Sequence, residues 1–417
     1  MNKRALFVAF HFPPQAASSG IQRTLSFSRH LGNHGWSPLI LSANPIAYSV
    51  KNSSQLAMLP PDLVVKRAFA LDTKRHLGIL GRYPEMLALP DRWISWWLSA
   101  VPAGLSLIRR YKPEVIWSTF PIASAPLIAL TLHRITGLPW VADFRDPMLQ
   151  DDYPSTKLQR KAYGWIEQQA IHRCKKAVFT THSAMDAYKR RFPEFLHEKF
   201  AVIENGYDED VFSDATAGPH PDTLKNGTSL TLLHSGVLYA DGRDPSAFFE
   251  AIAVLKAHGS VNASRLRVIL RATGDDPYFN ALVKKYGIED IVSIEASVPY
   301  RDALNEMLNV DGLIVFQGAP FNTQIPAKIY EYFRARKPIL GLLDLAGETA
   351  RVIGAAGFQD IAAMDSAAAI APVLERFIAR IRDGNAHVAS ETVIAASSRA
   401  NRAAELARIF HHATECS

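Results

Sequence analysis

Short apolar runs alternate with amphipathic stretches along the first half of the chain. The runs are rich in β-branched and aromatic residues, as is typical of strands buried on both faces, and they lie at Ala5–Phe10, Pro38–Ser42, Val115–Phe120, Trp140–Phe144, Ala177–Thr181 and Ala201–Ile203. Apolar residues with helical spacing separate these runs, at Ile21–Asn33, Ser95–Tyr111, Ile122–Thr136, Lys157–Arg173 and Ala184–Phe192. Strands and helices that alternate in this way predict a parallel α/β sheet.

A polar stretch at 213–229, rich in Asp, Pro, Gly and Thr, interrupts the alternation and is interpreted as a domain junction. The alternation then begins again, with strand patterns at Leu230–His234, Leu266–Ala272, Val292–Ala296, Gly312–Phe316 and Pro338–Leu342. The helical patterns of this part lie at Pro245–Ala257, Tyr278–Tyr286, Arg301–Leu308, from Lys328 onward, and at Ser366–Arg382 and Ser390–His411.

The predicted fold is therefore α/β, with two tandem Rossmann-like doubly wound domains facing a cleft. Residues 1–205 are predicted to form the first domain, 206–390 the second, and 391–417 a C-terminal helix that packs back towards the first domain. A length of 417 residues suits two domains better than one. Open parallel sheets bind ligands at the carboxyl ends of their strands, so the loops that follow the strands are the places to look for a site.

Composition narrows the classes of function. The chain is 48% hydrophobic and 21% charged, with a formal net charge of +6, which is typical of a globular protein. The mild basic excess suits anionic substrates or an anionic membrane surface, but no run of Lys and Arg is long enough to indicate nucleic-acid binding. The two cysteines, Cys174 and Cys416, are too few for a disulfide framework and suit the cytosol.

The N-terminus imitates a signal peptide, because the basic residues Lys3 and Arg4 precede the apolar run Ala5–Phe10. That run is shorter than the roughly 7–15 apolar residues of a signal, so it predicts a strand. No stretch reaches the ~18–20 apolar residues of a spanning helix. We therefore expect a cytoplasmic protein.

The segment Gln324–Phe333 is the most informative part of the sequence. A polar loop leads into a helix that begins after a predicted strand, and Lys328 and Glu331 lie three residues apart on one face of its first turns. A cation beside a helix N-terminus suits a phosphate, and a carboxylate one turn later suits sugar hydroxyls. An ordinary amphipathic helix with a solvated Lys–Glu pair remains the alternative.

Two loops of the first domain carry further candidates. Ser19 and Gly20 end the loop after the first strand and leave room for a phosphate or an acceptor, and Arg23 lies where it would clamp an anion. The alternative is a plain loop with Arg23 facing solvent.

The strand pattern Trp140–Phe144 leads into the second of these loops, where Asp143, Arg145 and Asp146 are grouped. If the strand continues, Asp143 and Arg145 point to the same side and would orient an acceptor hydroxyl or a phosphate. A buried structural Arg–Asp pair is the alternative.

The chain resembles glycosyltransferase family four, in its bacterial cell-surface polysaccharide branch, at Phe10–Arg23, Pro139–Pro147, Gly236–Pro245 and Pro326–Pro338. The resemblance implies the GT-B fold and a nucleoside diphosphate sugar as donor. It further implies a glycan or polyprenyl-linked acceptor, retention of configuration, and neither cofactor nor metal. Motifs of metal-binding His or Cys residues at ligand spacing are absent from the sequence as well.

The resemblance also implies roles for loops of the second domain. Gly236 and Arg243 match the loop that meets the donor diphosphate, with Arg243 as the basic residue. Val298 and Tyr300 match a loop that holds the nucleotide base, and Tyr300 is the candidate to stack on the ring. A plain helix-capping loop is the alternative there.

The sequence departs from the family pattern at two positions. Val237 stands where the family has an earlier basic residue, and Lys328 is expected to compensate for it. Thr323 stands where the family has the first of two glutamates, which leaves the identity of the donor open. Glu331 fills the second position and is expected to bind the ribose.

These observations predict a metal-independent retaining hexosyltransferase for cell-surface polysaccharide biosynthesis, with Arg243, Lys328, Asp143 and Arg145 as catalytic residues. Two alternatives stay open. One is a nucleotide-sugar 2-epimerase of the same double fold, which would need acid–base groups such as Asp143, His234 or His11. The other is a non-catalytic sugar-nucleotide-binding subunit, which the missing glutamate at Thr323 favours.

A weak peripheral contact with an anionic membrane is also predicted. Trp93, Trp96 and Trp97 lie in an apolar segment that ends with Arg109 and Arg110. Tryptophan at an apolar–polar boundary beside arginine is typical of interfacial docking. The alternative is a core helix of the first domain.

Overall fold

The computed structural model of the protein describes residues 2–16, 20–78, 82–150, 153–213, 229–239 and 241–415. The chain forms two compact units, of which the first comprises Met1–Asn205 with Arg399–Ser417 and the second Gly206–Ser398. Most of the polar stretch interpreted as a domain junction lies outside the described residues.

A seven-stranded parallel sheet runs through the described part of the first unit, in the order β3-β2-β1-β4-β5-β6-β7. Its strands are β1 Lys3–Val8, β2 Trp36–Ala43, β3 Val64–Ala68, β4 Val115–Thr119, β5 Trp140–Arg145, β6 Lys176–Phe179 and β7 Phe200–Val202. The α-helices between them are α1 Gly20–His30, α2 Thr73–His76, α3 Ser95–Tyr111, α4 Ser124–Thr136, α5 Lys157–Arg173 and α6 His182–Arg191. Short 3-10 helices occur at Leu31–His34, Pro45–Ala47, Ser54–Met58, Glu85–Ala88 and His197–Lys199.

Both faces of this sheet are buried, as the unbroken apolar runs predict. Successive side chains of a strand point to opposite faces. Leu6 of β1 belongs to the core beneath α3 and α4, whereas Phe7 packs with its ring centre 4.4 Å from that of Trp117 on the other face. The C-terminal helix Arg399–Glu415 closes that second face and places Phe410 against Phe7 and Trp36.

The tryptophan-rich segment is a core helix, contrary to the predicted membrane docking. Trp96 is fully buried in the main core of the first unit, and Trp97 donates a hydrogen bond from Nε1 to Thr131 Oγ1 at 3.0 Å. Trp93 packs on Phe10 with ring centres 4.8 Å apart. The apolar character of this helix thus serves packing against the sheet and α4.

The second unit repeats the architecture with a six-stranded parallel sheet in the order β10-β9-β8-β11-β12-β13 within its described residues. Its strands are β8 Leu230–Ser235, β9 Leu266–Arg271, β10 Val292–Glu295, β11 Gly312–Gln317, β12 Ile339–Leu343 and β13 Ile361–Ala363. Its α-helices are α7 Glu209–Ser213, α8 Ser246–Ala257, α9 Asp276–Lys285, α10 Tyr300–Asn309, α11 Lys328–Ala335, α12 Glu348–Ala355, α13 Ala367–Arg382 and α14 Glu391–Ala396. A 3-10 helix occupies Ala319–Phe321.

The second sheet is likewise buried on both faces. Leu232 and Phe316 belong to the core beneath α8 and α13, whereas Leu233 and Val315 belong to the core beneath α10, α11 and α12. These cores consist of residues of the second unit alone. Each unit therefore has a hydrophobic core of its own.

The predicted fold class is confirmed, because both units are parallel α/β structures with the Rossmann-like strand order. Two strands, β3 and β13, are missing from the prediction. β3 carries Lys66 and Arg67 at the sheet edge, and β13 has three residues, so neither has a long apolar run.

The predicted C-terminal helix from 391 is interrupted, since α14 ends at Ala396 and a new helix begins at Arg399. Among the described residues, no helix combines the length and the apolar character needed to cross a membrane.

Candidate functional site

Each sheet has one place where the chain reverses its direction of winding, and ligands of such sheets bind outside the strand ends at that place. In the first unit it lies between β1 and β4, and in the second between β8 and β11. The predicted residues cluster near these two places, and each cluster is described within its own unit.

In the second unit, Lys328 reaches from the start of α11 to the end of β8. Its Nζ donates a hydrogen bond to the backbone oxygen of Ser235 at 2.6 Å. It also lies where a Cβ on Gly236 would stand, and Gly236 has a φ of +134°. Only glycine combines that backbone conformation with so close an approach, which explains the Gly236–Lys328 pair at this strand end.

The surroundings of Lys328 lower the pKa of its amine. Burial and the nearby Arg243 guanidinium lower the pKa of Lys328 to about 7, while Glu331 acts in the opposite direction. His234, on β8, is buried and shares a hydrogen bond between its Nδ1 and the Ile314 carbonyl oxygen at 3.0 Å. Burial and the neighbouring cations hold the pKa of His234 well below its usual range, so this imidazole is neutral.

Arg243 approaches from the loop after β8. Its guanidinium lies over the rings of Tyr239 and Phe321, at 5.5 and 4.9 Å from their centres, and its Nη2 donates to Gln317 Oε1 at 3.3 Å. Its Nε is buried without a hydrogen-bond partner among the described residues. Burial lowers the pKa of Arg243. Arg243 lies close enough to Lys328 to lower the pKa of that lysine.

Gln317 organises the loop after β11 and was missed by the sequence analysis. Its Nε2 donates to the carbonyl oxygens of Phe321 at 3.0 Å and Gln324 at 2.7 Å, and to Thr349 Oγ1 at 2.9 Å. Its Oε1 meanwhile accepts from Arg243. A buried polar residue that directly follows the apolar run Gly312–Phe316 was the signal that could have revealed it.

A backbone hydrogen bond also joins the loops after β8 and β11. The Gly318 amide donates to the Gly242 carbonyl oxygen at 2.7 Å. Gly242 has a φ of +82°, and a Cβ there would lie 2.9 Å from the Phe321 ring. Gly242 therefore allows Arg243 to reach the strand ends, in a role that the sequence analysis did not assign.

Glu331 and Tyr300 lie together, although the sequence analysis gave them separate roles. The Tyr300 hydroxyl donates to Glu331 Oε1 at 2.6 Å, which links α10 to α11. The carboxylate is 9% exposed, and the Tyr300 side chain is 45% exposed at the rim. Val298 lies in the same loop and is partly exposed. Arg271 supports this loop by donating from Nη1 to the Ala296 carbonyl oxygen at 2.7 Å.

In the first unit, Arg23 and Asp143 form a buried bidentate ion pair. Arg23 donates from Nε to Asp143 Oδ2 at 2.8 Å and from Nη2 to Oδ1 at 3.1 Å. Its Nη1 donates to the Glu204 carbonyl oxygen at 3.2 Å. The Arg–Asp pair expected at this strand end therefore exists, but its arginine comes from α1.

β5 extends to Arg145 but is irregular beyond Asp143, so the simple alternation that predicted a pairing of Asp143 with Arg145 is not kept. The register between β5 and β6 shifts after Asp143, and Arg145 has a φ of +60°, in the left-handed region. Its backbone oxygen accepts from Thr180 Oγ1 at 2.9 Å. The Arg145 guanidinium still interacts electrostatically with Asp146, Asp143 and Arg23.

His11 and Asp146 both interact electrostatically with Arg145 near the carboxyl ends of β1 and β5. Burial and Arg145 lower the pKa of His11 to about 3, so the imidazole is neutral. Burial raises the pKa of Asp146, against the attraction of Arg145. The Nε of Arg145 is buried without a hydrogen-bond partner in the described part of the chain. This arrangement suits an anionic or hydroxyl-bearing ligand.

The loop after β1 is only partly described. Gly20 is buried at the start of α1, and Ser19 lies outside the described residues. Arg67 of β3 donates to the Pro13 carbonyl oxygen, and its guanidinium lies 5.3 Å from the centre of the Phe12 ring. The edge strand thereby fixes the part of this loop that lies before the helix.

A known protein family matches most of the first unit. Residues 21–206 match the model of the glycosyl transferase 4-like domain. Most of the first unit is therefore similar to a glycosyl transferase 4-like domain. The resemblance to glycosyltransferase family four is thereby confirmed. No curated protein matches the chain closely enough to count as a relative.

Solved structures resemble the chain over nearly its whole length. A sucrose-phosphate synthase from Thermosynechococcus elongatus is 13% identical with a TM-score of 0.66, and the likeness covers 100% of both chains. Anabaena HepE, solved in complex with UDP, is 13% identical with a TM-score of 0.59 over 100% of this chain and 98% of that one. A UDP-N-acetylglucosamine 2-epimerase is 12% identical with a TM-score of 0.54 over 99% and 97%. These likenesses confirm the GT-B fold.

Proposed function

We propose that the protein is a retaining glycosyltransferase that moves a hexose from a nucleoside diphosphate sugar to a glycan or polyprenyl-linked acceptor in cell-surface polysaccharide assembly. The observation that carries the proposal is the meeting of Lys328 and Arg243 beside Gly236 at the end of β8. Two cations with restricted solvation, at the place where such a sheet binds its ligand, suit a diphosphate.

In this proposal the diphosphate is both ligand and leaving group. Lys328 Nζ and the free Nε of Arg243 stabilise the charge that develops on it as the bond to the anomeric carbon breaks. The acceptor oxygen bonds to that carbon on the same face, and its proton passes to a phosphate oxygen, so no protein base is required. Glu331 holds the ribose hydroxyls, while Val298 and Tyr300 border the base.

The first unit supplies the acceptor site in this proposal. Arg145 and Asp146, with the neutral His11 beside them, are the groups that would meet an acceptor hydroxyl or phosphate. The bidentate contact with Arg23 makes Asp143 a positioning residue that holds α1 against the end of β5. We place the protein at the cytoplasmic side, where nucleoside diphosphate sugars are made.

The buried imidazole supports transfer over epimerisation. His234 is 1% exposed, is held by the Ile314 carbonyl oxygen, and has a strongly lowered pKa, which makes it a poor acid–base group. Incubation with the sugar nucleotide alone separates the two reactions, because an epimerase converts it and a transferase leaves most of it unchanged. A non-catalytic subunit would bind the donor and transfer nothing to any acceptor.

Calorimetric titration with UDP, GDP and ADP tests the donor site. We expect micromolar to millimolar binding of one of them, and Arg243→Ala or Lys328→Ala should weaken it strongly. Each variant should also lower turnover by roughly 10²–10³, the usual effect of losing one charge-stabilising contact. Arg267→Ala, at an exposed position of β9, is the matched control and should change neither. If the wild type binds none of the three, the proposal is contradicted.

Metal independence is tested separately. Because the two cations occupy the place of a divalent ion in this scheme, transfer should be insensitive to EDTA. Loss of transfer that added Mg²⁺ or Mn²⁺ restores would contradict that part.

A further inference from the structure

Two cavities adjoin each other on the first unit, at the end of its sheet where β6 and β7 begin. The larger has a volume of about 490 Å³ and is lined by residues just before these two strands and near the end of the C-terminal helix. The smaller, of about 410 Å³, lies against the end of α6. Glu194, Phe195 and Leu196 line both cavities. The two therefore form one groove, which we call the α6 groove.

The α6 groove lies at the opposite end of the strands from the proposed acceptor site. Lys176 is the first residue of β6, and it lines the groove, as does Lys199 directly before β7. His11 and Arg145 lie instead near the carboxyl ends of β1 and β5, where open parallel sheets bind their ligands. A ligand in the α6 groove would therefore leave that end of the sheet open.

The walls of the groove are partly apolar. Leu196 is 79% exposed, more than any other large apolar side chain among the described residues. Phe195 packs against the core of the first unit, and the nearly buried Cys174 and Ala413 line the larger cavity. Exposed apolar side chains that are scattered singly need no explanation, but Leu196 shares a concave wall with other apolar groups, as in an interaction site.

Positive charge is concentrated around the groove. Residues 172–199 include seven Lys or Arg and three Asp or Glu, an excess of four, whereas the whole chain has an excess of six. Five of these seven cations line the groove: Lys175, Lys176, Lys189, Arg190 and Lys199. The carboxylates among its described lining residues are Glu194 and Glu198. The groove therefore has a net positive charge.

The cations of the larger cavity lie close together. Burial lowers the pKa of Lys199, and the charge of Lys175 lowers it further. Lys199 Nζ lies 4.4 Å from the centre of the Phe195 ring, and Lys176 Nζ donates to the backbone oxygen of Glu198. Neither of these contacts neutralises the lysine. An anionic group placed among the three lysines would offset their mutual repulsion.

We propose that the α6 groove binds an acidic segment of another protein, with large apolar side chains between its Asp and Glu residues. The apolar side chains enter the two cavities that share Leu196, and the carboxylates meet the surrounding cations. Each cavity has the size of an ordinary ligand pocket, with room for large side chains. Such a segment uses both the charge and the apolar walls of the groove.

Other occupants match only part of this chemistry. A small inorganic anion would leave the apolar walls in water. A flat leaflet of anionic lipid fits a concave site poorly, and its phosphates would meet Glu194 and Glu198 on the same walls. A symmetric contact between two copies of this chain would bring two basic grooves together.

Fluorescence anisotropy with synthetic peptides tests the proposal on the full chain. The probes are fluorescein-labelled decapeptides of Glu and Asp with two leucines, separated by one, two or three acidic residues. Control peptides carry serine in place of both leucines, or amides in place of the carboxylates. At least one acidic leucine peptide should bind, less tightly as NaCl rises, and its control peptides should bind at least about tenfold more weakly.

Substitutions at exposed positions locate the binding. Leu196→Ser removes the exposed leucine, and Ile135→Ser, at a residue that is 58% exposed elsewhere in the same unit, is its matched control. Lys175→Glu with Arg190→Glu reverses two exposed charges of the groove, and Lys157→Glu with Lys161→Glu reverses two exposed charges of α5. The groove variants should each lose at least about tenfold in affinity, and the controls less than about twofold.

Three results would overturn the proposal. They are no binding of any acidic leucine peptide to the wild type, serine control peptides that bind as tightly as the leucine peptides, or equal losses in the groove variants and their controls. Displacement of the peptide by phosphatidylglycerol vesicles would also overturn it and assign the groove to lipid. Nucleoside diphosphate binding should be unchanged in all these variants, so this proposal and the proposed function fail separately.

Discussion

At the scale of single residues, the close approach of Lys328 to Gly236 places a cation at the end of β8. The lysine amine occupies the space in which any other residue at position 236 would place its Cβ. The positive φ of Gly236 adds a second reason for glycine there, because left-handed backbone costs an L-residue roughly 1–2 kcal/mol. The absence of a side chain at Gly236 thus lets Lys328 of α11 bring its amine to the end of β8.

Gly236→Ala should therefore abolish or strongly weaken nucleoside diphosphate binding while the protein stays folded. The new methyl group must displace the Lys328 amine from its contact with the Ser235 carbonyl oxygen. Gly259→Ala is the control, because Gly259 also has a positive φ, +77°, with nothing within 4 Å of a Cβ. Calorimetry and thermal unfolding of both variants measure the effect. Equal binding in the two would contradict the close approach.

Lys328 should also make binding depend on pH. Its pKa of about 7 means that much of the amine is neutral above pH 7, and a bound diphosphate favours the ammonium. Binding at pH 8 should then take up as much as about one proton, and affinity should fall as pH rises above 7. Titrations in buffers of different ionisation enthalpy measure the uptake.

Two substitutions of Lys328 test this pH prediction, one by removing the charge and one by making it permanent. Lys328→Met should remove the proton uptake together with most of the affinity. Lys328→Arg keeps a permanent charge, so whatever affinity it retains should no longer fall between pH 7 and 9. Uptake that is the same in Lys328→Met as in the wild type would show that another group titrates.

At the scale of elements, α10 and α11 are joined where the ribose is proposed to bind. Glu331 lies in the first turn of α11, and Tyr300 engages one of its carboxylate oxygens. Its second oxygen is the one that remains for a sugar hydroxyl. Substitutions on either side of this contact can therefore show whether Glu331 binds the ligand or only links α10 to α11.

Glu331→Gln should weaken nucleoside diphosphate binding by about 1.5–3 kcal/mol, because charge-assisted hydrogen bonds to the ribose are lost. Tyr300→Phe keeps the carboxylate and should cost less than about tenfold in affinity. Calorimetry of both variants with UDP and with inorganic pyrophosphate, which lacks the ribose, gives the comparison. If Glu331→Gln weakens both ligands equally, the ribose role is wrong.

At the scale of the whole molecule, the two units can be observed independently. All seven tryptophans lie between residues 36 and 165, in the first unit, so fluorescence reports that unit. The proposed nucleotide site lies in the second. The C-terminal helix Arg399–Glu415 belongs to the first unit, where Leu406 and Phe410 are buried against the sheet.

Deletion of residues 399–417 should therefore destabilise the first unit selectively. Leu406 and Phe410 alone are each worth about 1.5–3 kcal/mol of burial, and their loss exposes Phe7 and Trp117. The fluorescence-detected urea midpoint should fall clearly, while nucleoside diphosphate binding persists. An unchanged midpoint, or loss of both signals together, would contradict the division of the chain into these units.

Local patterns predicted much of this architecture. The apolar runs behind β1, β5 and β11 and the helical periodicity of α3 and α5 are long enough to be read without neighbours. β3 and β13 were missed because an edge strand with charges, or one of three residues, is recognised through pairing with its partner strand. The break between α14 and the last helix was missed for a related reason, since the periodicity continues across it.

The candidate site was predicted in part for the same reasons. Lys328, Glu331 and Arg243 follow strands at short distances, so sequence position alone places them near strand ends. The hydrogen-bonded partner of Asp143 was not predicted, because Arg23 is 120 residues away along the chain and only folding brings the two together. Gln317 was missed since one polar side chain at the end of an apolar run is a weak signal until its four contacts are seen.

The sequence by itself thus determined the two parallel α/β units and the strand ends where charge collects, because period and burial are local properties of the chain. The tertiary structure decided which groups meet: Lys328 with Gly236, Arg23 with Asp143, and Tyr300 with Glu331. It also decided that Trp96 is core and that the exposed apolar side chains lie elsewhere. Such contacts depend on distances across the sheet, and spacing along the chain does not encode them.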